Sequence, residues 1–84
     1  MSRKPEIIFS PKFKEIFEKL DFENRERIIK HLKQIEQNPE IGKPLRYSLK
    51  GFRSIRIGKY RLIYAIEEDV IRVYAFEHRK GVYK

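Results

Sequence analysis

The hydrophobic spacing of this chain changes once, at Ile41-Gly42-Lys43-Pro44, and that change dictates a two-part fold. Upstream, Phe13, Ile16, Phe17 and Leu20 recur at i, i+3, i+4 and i+7, and Arg25, Ile28, Ile29, Leu32 and Ile35 keep helical spacing. Two amphipathic helices result, each with one apolar stripe to cover. Ser10-Pro11 supplies a capping hydroxyl and a proline at the first helical position, Asp21 caps the second helix, and Asn38-Pro39 ends it. Downstream, Phe52 to Ile57, Tyr60 to Glu67 and Val70 to Phe76 are rich in Ile, Val, Tyr and Phe with charges interspersed, as in strands exposed on one face. Gly58-Lys59 and Glu68-Asp69 are the expected turns, and only the first carries the glycine that suits a type II′ hairpin. With a short opening strand at Glu6 to Ser10, the order is β-α-α-β-β-β, followed by a polar tail from His78 to Lys84. The expected fold is α+β: an antiparallel sheet with an N-terminal helical hairpin packed on one face.

At 84 residues, the chain is expected to form one domain, 1–84, with a core too thin to stabilise it by a wide margin. It has no cysteine, which excludes disulfides, thiolate metal sites and a thiol nucleophile. No apolar run approaches the roughly 20 residues that span a bilayer, and no apolar leader follows the basic start, so a soluble cytoplasmic protein with no membrane partner is expected.

Charge is unevenly spread. Residues 1–42 hold nine basic and eight acidic side chains, whereas residues 43–84 hold eleven and four. Lys43, Arg46, Lys50, Arg53, Arg56, Lys59 and Arg61 follow one another without an acidic residue. Such a surface faces a polyanion, an acidic protein or plain solvent, and it lacks the helical spacing of a membrane-binding segment.

A two-residue loop at Gly58-Lys59 pairs Ile57 with Tyr60 and therefore Arg56 with Arg61. Ile55, Ile57, Tyr60, Leu62, Tyr64 and Ile66 then share the face under the helices, and the two arginines lie opposite each other on the other face. Like charges so placed disfavour the sheet unless they splay apart, meet a carboxylate or bind an anion. Two outcomes stay open: the guanidinium groups grip phosphate through forked hydrogen bonds, or they lie apart over Ile63 and Phe76 as apolar stems. Tyr74 and Phe76 are candidates for stacking on bases beside them. Glu67, Glu68 and Asp69 read as a solvated turn rather than a metal site, because a tight turn points them apart and no histidine accompanies them.

The run Leu49-Lys50-Gly51-Phe52-Arg53-Ser54-Ile55-Arg56-Ile57-Gly58-Lys59-Tyr60-Arg61-Leu62-Ile63-Tyr64, followed by Val73-Tyr74-Ala75-Phe76-Glu77-His78-Arg79-Lys80-Gly81-Val82-Tyr83, resembles the RelE/ParE toxin superfamily. The element order is that superfamily's as well, so the likeness covers nearly the whole chain. It implies the toxin of a type II toxin–antitoxin system, held inactive by an acidic RelB-like antitoxin. In the RelE branch it implies a metal-independent endoribonuclease that cuts messenger RNA in the ribosomal A site and needs no cofactor. In the ParE branch it implies a gyrase poison without chemistry of its own. A non-catalytic nucleic-acid-binding module is the third alternative.

Carried over by motif, the residues acting on the scissile phosphate are Arg56, Arg61, Arg79 and Tyr83. Lys50, Arg53, Lys59, His78 and Lys80 join them as RNA-contacting residues. The sequence departs at Ser54, where some members carry a second catalytic lysine. Metal-free RNA cleavage needs a proton acceptor for the 2′-hydroxyl, cations around the phosphorane and an acid for the leaving oxygen. Tyr83 fills the first role only if positive charge lowers its pKa from about 10, and His78 is the alternative acceptor. Arg79 is the candidate for assisting the leaving group.

Overall fold

In the computed structural model, which describes residues 5–79, the predicted elements form with three short additions in the connector. Strand β1 (Glu6–Phe9) leads into α1 (Pro11–Glu18) and α2 (Phe22–Gln37). A 3₁₀ turn (Pro39–Ile41), the two-residue strand β2 (Lys43–Pro44) and a second 3₁₀ turn (Tyr47–Leu49) fill the connector. Then come β3 (Phe52–Ile57), β4 (Tyr60–Glu67) and β5 (Val70–His78).

The helix ends are capped by the residues expected to cap them. The Ser10 hydroxyl accepts from the Phe13 N–H at 3.1 Å, and the Asp21 carboxylate accepts from the Asn24 N–H at 3.2 Å. Arg25 closes α1 from the next helix, donating through Nε to the Phe17 carbonyl at 3.0 Å and through Nη2 to the Glu18 carbonyl at 2.6 Å.

The sheet has five strands in the order β1-β5-β4-β3-β2. It is mixed rather than antiparallel throughout, because β1 runs parallel to β5, with Ile7 beside Ile71 and Phe9 beside Val73. The two-helix crossover from β1 returns the chain to the far edge, and β5 ends beside the strand that began the fold. A bulge on β5 marks the junction: Ile63 faces Ala75 but Tyr64 faces Val73, leaving Tyr74 as the extra residue. The Ser10 hydroxyl donates to the Tyr74 carbonyl at 2.9 Å, so the α1 cap also satisfies the bulge.

Phe13, Ile28 and Ile35 from the helices pack on Ile57, Leu62, Tyr64, Ile71, Val73 and Phe76, with Ile55, Tyr60 and Ile66 at the margin. Phe76 belongs to this core, stacked on Tyr60 at 4.8 Å, so it neither lies under the arginine stems nor offers a ring to a base. Tyr74 lies instead edge-on against Phe52 at 4.7 Å.

Tyr64 ties the connector to the central strand. Its hydroxyl donates to the Pro39 carbonyl at 2.7 Å and accepts from the Gly42 N–H at 2.9 Å. Burial raises its pKa, partly offset by the Gly42 hydrogen bond and the nearby Arg53 charge.

Candidate active site

The turn chemistry brings the arginines together. Gly58 has φ +61°, the conformation a II′ turn requires at its first central position, and β3 and β4 pair from Ile57 with Tyr60 outward. Arg56 therefore stands directly opposite Arg61, on the face away from the helices. On its other side Arg61 faces Glu77 of β5, and its Nη2 donates to Glu77 Oε2 at 3.2 Å. Of the outcomes open to a like-charged cross-strand pair, Arg61 takes a carboxylate, whereas Arg56 is exposed. The Arg61 Nε is buried and makes no hydrogen bond, so the guanidinium is held in place chiefly through Glu77.

Arg79 sits at the same end of the sheet. Its backbone N–H donates to the Lys59 carbonyl at 3.0 Å and its Nη1 to the Gly58 carbonyl at 3.4 Å, which hooks the end of β5 onto the hairpin turn. Lys59, exposed in the turn, completes a cationic group of Arg56, Lys59, Arg61 and Arg79. Arg27 of α2, on which sequence reasoning laid no weight, adds to it from the helix side. A Cβ placed on Gly58 would lie 3.3 Å from its Nη1.

Three of the remaining candidates lie elsewhere. Arg53 is on the helix-side face, where its Nη1 donates to the Gly42 carbonyl at 2.8 Å and the Glu40 carbonyl at 3.2 Å, so it braces the connector. His78 is the cross-strand partner of Tyr60, with the two rings 5.2 Å apart edge-to-face, which puts it on the opposite face from Arg56 and Arg61. Lys50 precedes β3 at its far end, about 20 Å from Arg56 along an extended chain. Lys80 and Tyr83 lie outside the described residues. Among the described residues no cluster of histidine and carboxylate side chains is arranged to hold a metal ion, and no helix is long and apolar enough to cross a membrane.

Glu77 is the site residue that sequence reasoning missed. Reading the Glu68-Asp69 turn alone pairs Arg61 with Phe76, and only the bulge at Tyr74 shifts the register so that Arg61 meets Glu77.

The chain is thus a small basic protein with a helical hairpin on one side of its sheet and a row of cations beside a tight hairpin on the other. The chain belongs to the ParE toxin family of type II toxin–antitoxin systems, whose family model matches residues 7–83, and so to the RelE/ParE superfamily. It is 29% identical over 85 residues to a Methanocaldococcus jannaschii protein named as toxin RelE4, covering 94% of this chain and 90% of the relative. The structure is similar to a chain of the RelBE2 toxin–antitoxin complex of Mycobacterium tuberculosis, with TM-score 0.81, 26% identity, and 92% and 100% of the two chains covered. It also shares the fold of a chain in the RelB–RelE antitoxin–toxin complex of Methanococcus jannaschii, at TM-score 0.72, 21% identity, and 90% and 94% coverage.

Proposed function

We propose that this toxin is an endoribonuclease that cuts ribosome-bound messenger RNA without a metal ion. The RNA's own 2′-hydroxyl attacks the adjacent phosphate and leaves a cyclic phosphate end. The observation that carries the reading is the Arg56–Arg61 register beside a turn to which Arg79 is hydrogen-bonded. Three guanidinium groups on rigid backbone suit a phosphodiester, because they stabilise the extra negative charge of the phosphorane where it develops. In this reading Arg56, Arg61, Arg79 and Tyr83 act on the scissile phosphate, Lys59 and Lys80 flank the RNA, and His78, on the Tyr60 side of the sheet, does not contact it there. Lys50 reaches the RNA only at a distance from the cut, and Arg53 is occupied by the connector. The RelE name of the archaeal relative supports the same branch.

A second reading, gyrase poisoning without catalysis, draws on the description of the matching family as ParE toxin. The antitoxin is an acidic protein of RelB type, supported by the excess of basic residues in 43–84 and by similar chains solved as toxin–antitoxin complexes. A ribosomal target puts the site of action in the cytoplasm. Pulse labelling after induction separates the two toxins. Arrest of protein synthesis, relieved by Arg61→Ala, supports the ribonuclease, and a DNA-damage response with continued protein synthesis overturns it.

A further inference from the structure

We propose that Glu77 is the proton acceptor for the attacking 2′-hydroxyl, an inference that rests on the ribonuclease reading above. Arg56, Arg61 and Glu77 form one row across β3, β4 and β5 on the face away from the helices. Neighbouring strands are about 4.8 Å apart, so a phosphodiester seated on the two guanidinium groups has this carboxylate as its next neighbour.

Glu77 is anchored but not saturated. Its Oε2 accepts from Arg61 Nη2, whereas Oε1 has no hydrogen-bond partner among the described residues and the side chain is 36% exposed. A carboxylate fixed through one oxygen and open at the other is an oriented acceptor, which general base catalysis requires before any question of basicity. The alternative acceptor fares worse on position. His78 is on the Tyr60 side of the sheet, facing away from the two arginines.

The step balances without a co-reactant. The 2′-hydroxyl proton passes to Glu77 Oε1 as the 2′-oxygen bonds to phosphorus. The bond from phosphorus to the 5′-oxygen breaks, and that oxygen takes a proton from the solvent side, where Arg79 stands. The products are a 2′,3′-cyclic phosphate and a 5′-hydroxyl, and Glu77 returns its proton to water.

The test is single-turnover cleavage on programmed ribosomes by the wild-type toxin, Glu77→Gln, Glu77→Ala and Tyr83→Phe, with the melting temperature of each. Binding is measured in parallel with a message carrying a 2′-deoxy nucleotide at the cut. Glu77→Gln keeps a neutral oxygen for Arg61, so it is expected to fold and bind as wild type while cleavage falls by about 10²–10⁴-fold. Glu77→Ala is expected to lose cleavage equally and to regain part of it on addition of formate, a response that a purely positioning carboxylate does not give. Wild-type cleavage by Glu77→Gln, a loss explained by weaker binding, no response of Glu77→Ala to formate, or an equal collapse in Tyr83→Phe with Glu77→Gln unaffected overturns the proposal. A wild-type toxin that does not cut on ribosomes overturns the ribonuclease reading itself.

Discussion

Replacing Gly42 by alanine tests how the connector is held to the sheet. A Cβ at this position would lie 2.5 Å from the Tyr64 hydroxyl oxygen, 2.8 Å from Cε1 and 3.0 Å from Cζ. Tyr64 is fully buried on the central strand and its hydroxyl bonds both Gly42 and Pro39, so the ring cannot withdraw without losing these bonds. Overpacking of this kind costs about 1–3 kcal/mol. Breaking the hydroxyl's bonds leaves buried polar groups unpaired, adding roughly 1–3 kcal/mol. The expected total is about 2–6 kcal/mol, out of roughly 4–13 kcal/mol for a domain of this size. Tyr64→Phe alone costs about 1–3 kcal/mol, because the Gly42 N–H and Pro39 carbonyl lose their partner. The double variant costs less than the sum, since one hydroxyl is counted in both, but more than Tyr64→Phe, since Cε1 still crowds the new methyl. Urea denaturation of the four proteins measures these differences as shifts in midpoint at constant slope. A Gly42→Ala cost under about 1 kcal/mol, or strict additivity, refutes the packing argument.

Other predictions concern pH, turn strain and charge. Burial raises the Tyr64 pKa in the folded state, so its contribution is fully present below the unfolded value of about 10 and is lost as pH rises through the higher folded value. Alkaline unfolding followed by circular dichroism is expected to be shallower in Tyr64→Phe. Glu68 holds φ +56° in the β4–β5 turn, so Glu68→Gly is expected to raise stability by about 1 kcal/mol, read as a higher melting temperature. Arg56→Ala is expected to reduce the salt dependence of RNA binding by roughly 0.7 in log–log slope, whereas Arg53→Ala leaves it unchanged and lowers stability instead.

What was legible in the sequence came from local rules. Ser10-Pro11 and Asp21 announced both helix starts through capping chemistry, and Gly58 set the register that brings Arg56 to Arg61, because a two-residue turn leaves no freedom in the pairing. The features that escaped depend on distant partners. Nothing in Glu6–Phe9 says that it pairs parallel with β5, and the bulge at Tyr74 depends on the Ser10 hydroxyl, 64 positions away, meeting its carbonyl. Arg53 shows a different limit. Alternation from Ile55 already assigns it to the helix side, but a tally of basic residues treats it like its neighbours, and only the Gly42 and Glu40 carbonyls reveal what it does.

The most direct measurement is primer-extension mapping of a translated message exposed to the purified toxin, with and without ribosomes, beside Arg61→Ala and Arg79→Ala. The account predicts discrete cuts within codons only when ribosomes are present, ending in cyclic phosphate and sharply reduced in both variants. Cuts that persist undiminished in both variants, or a message left intact on ribosomes by the wild-type toxin, contradict it.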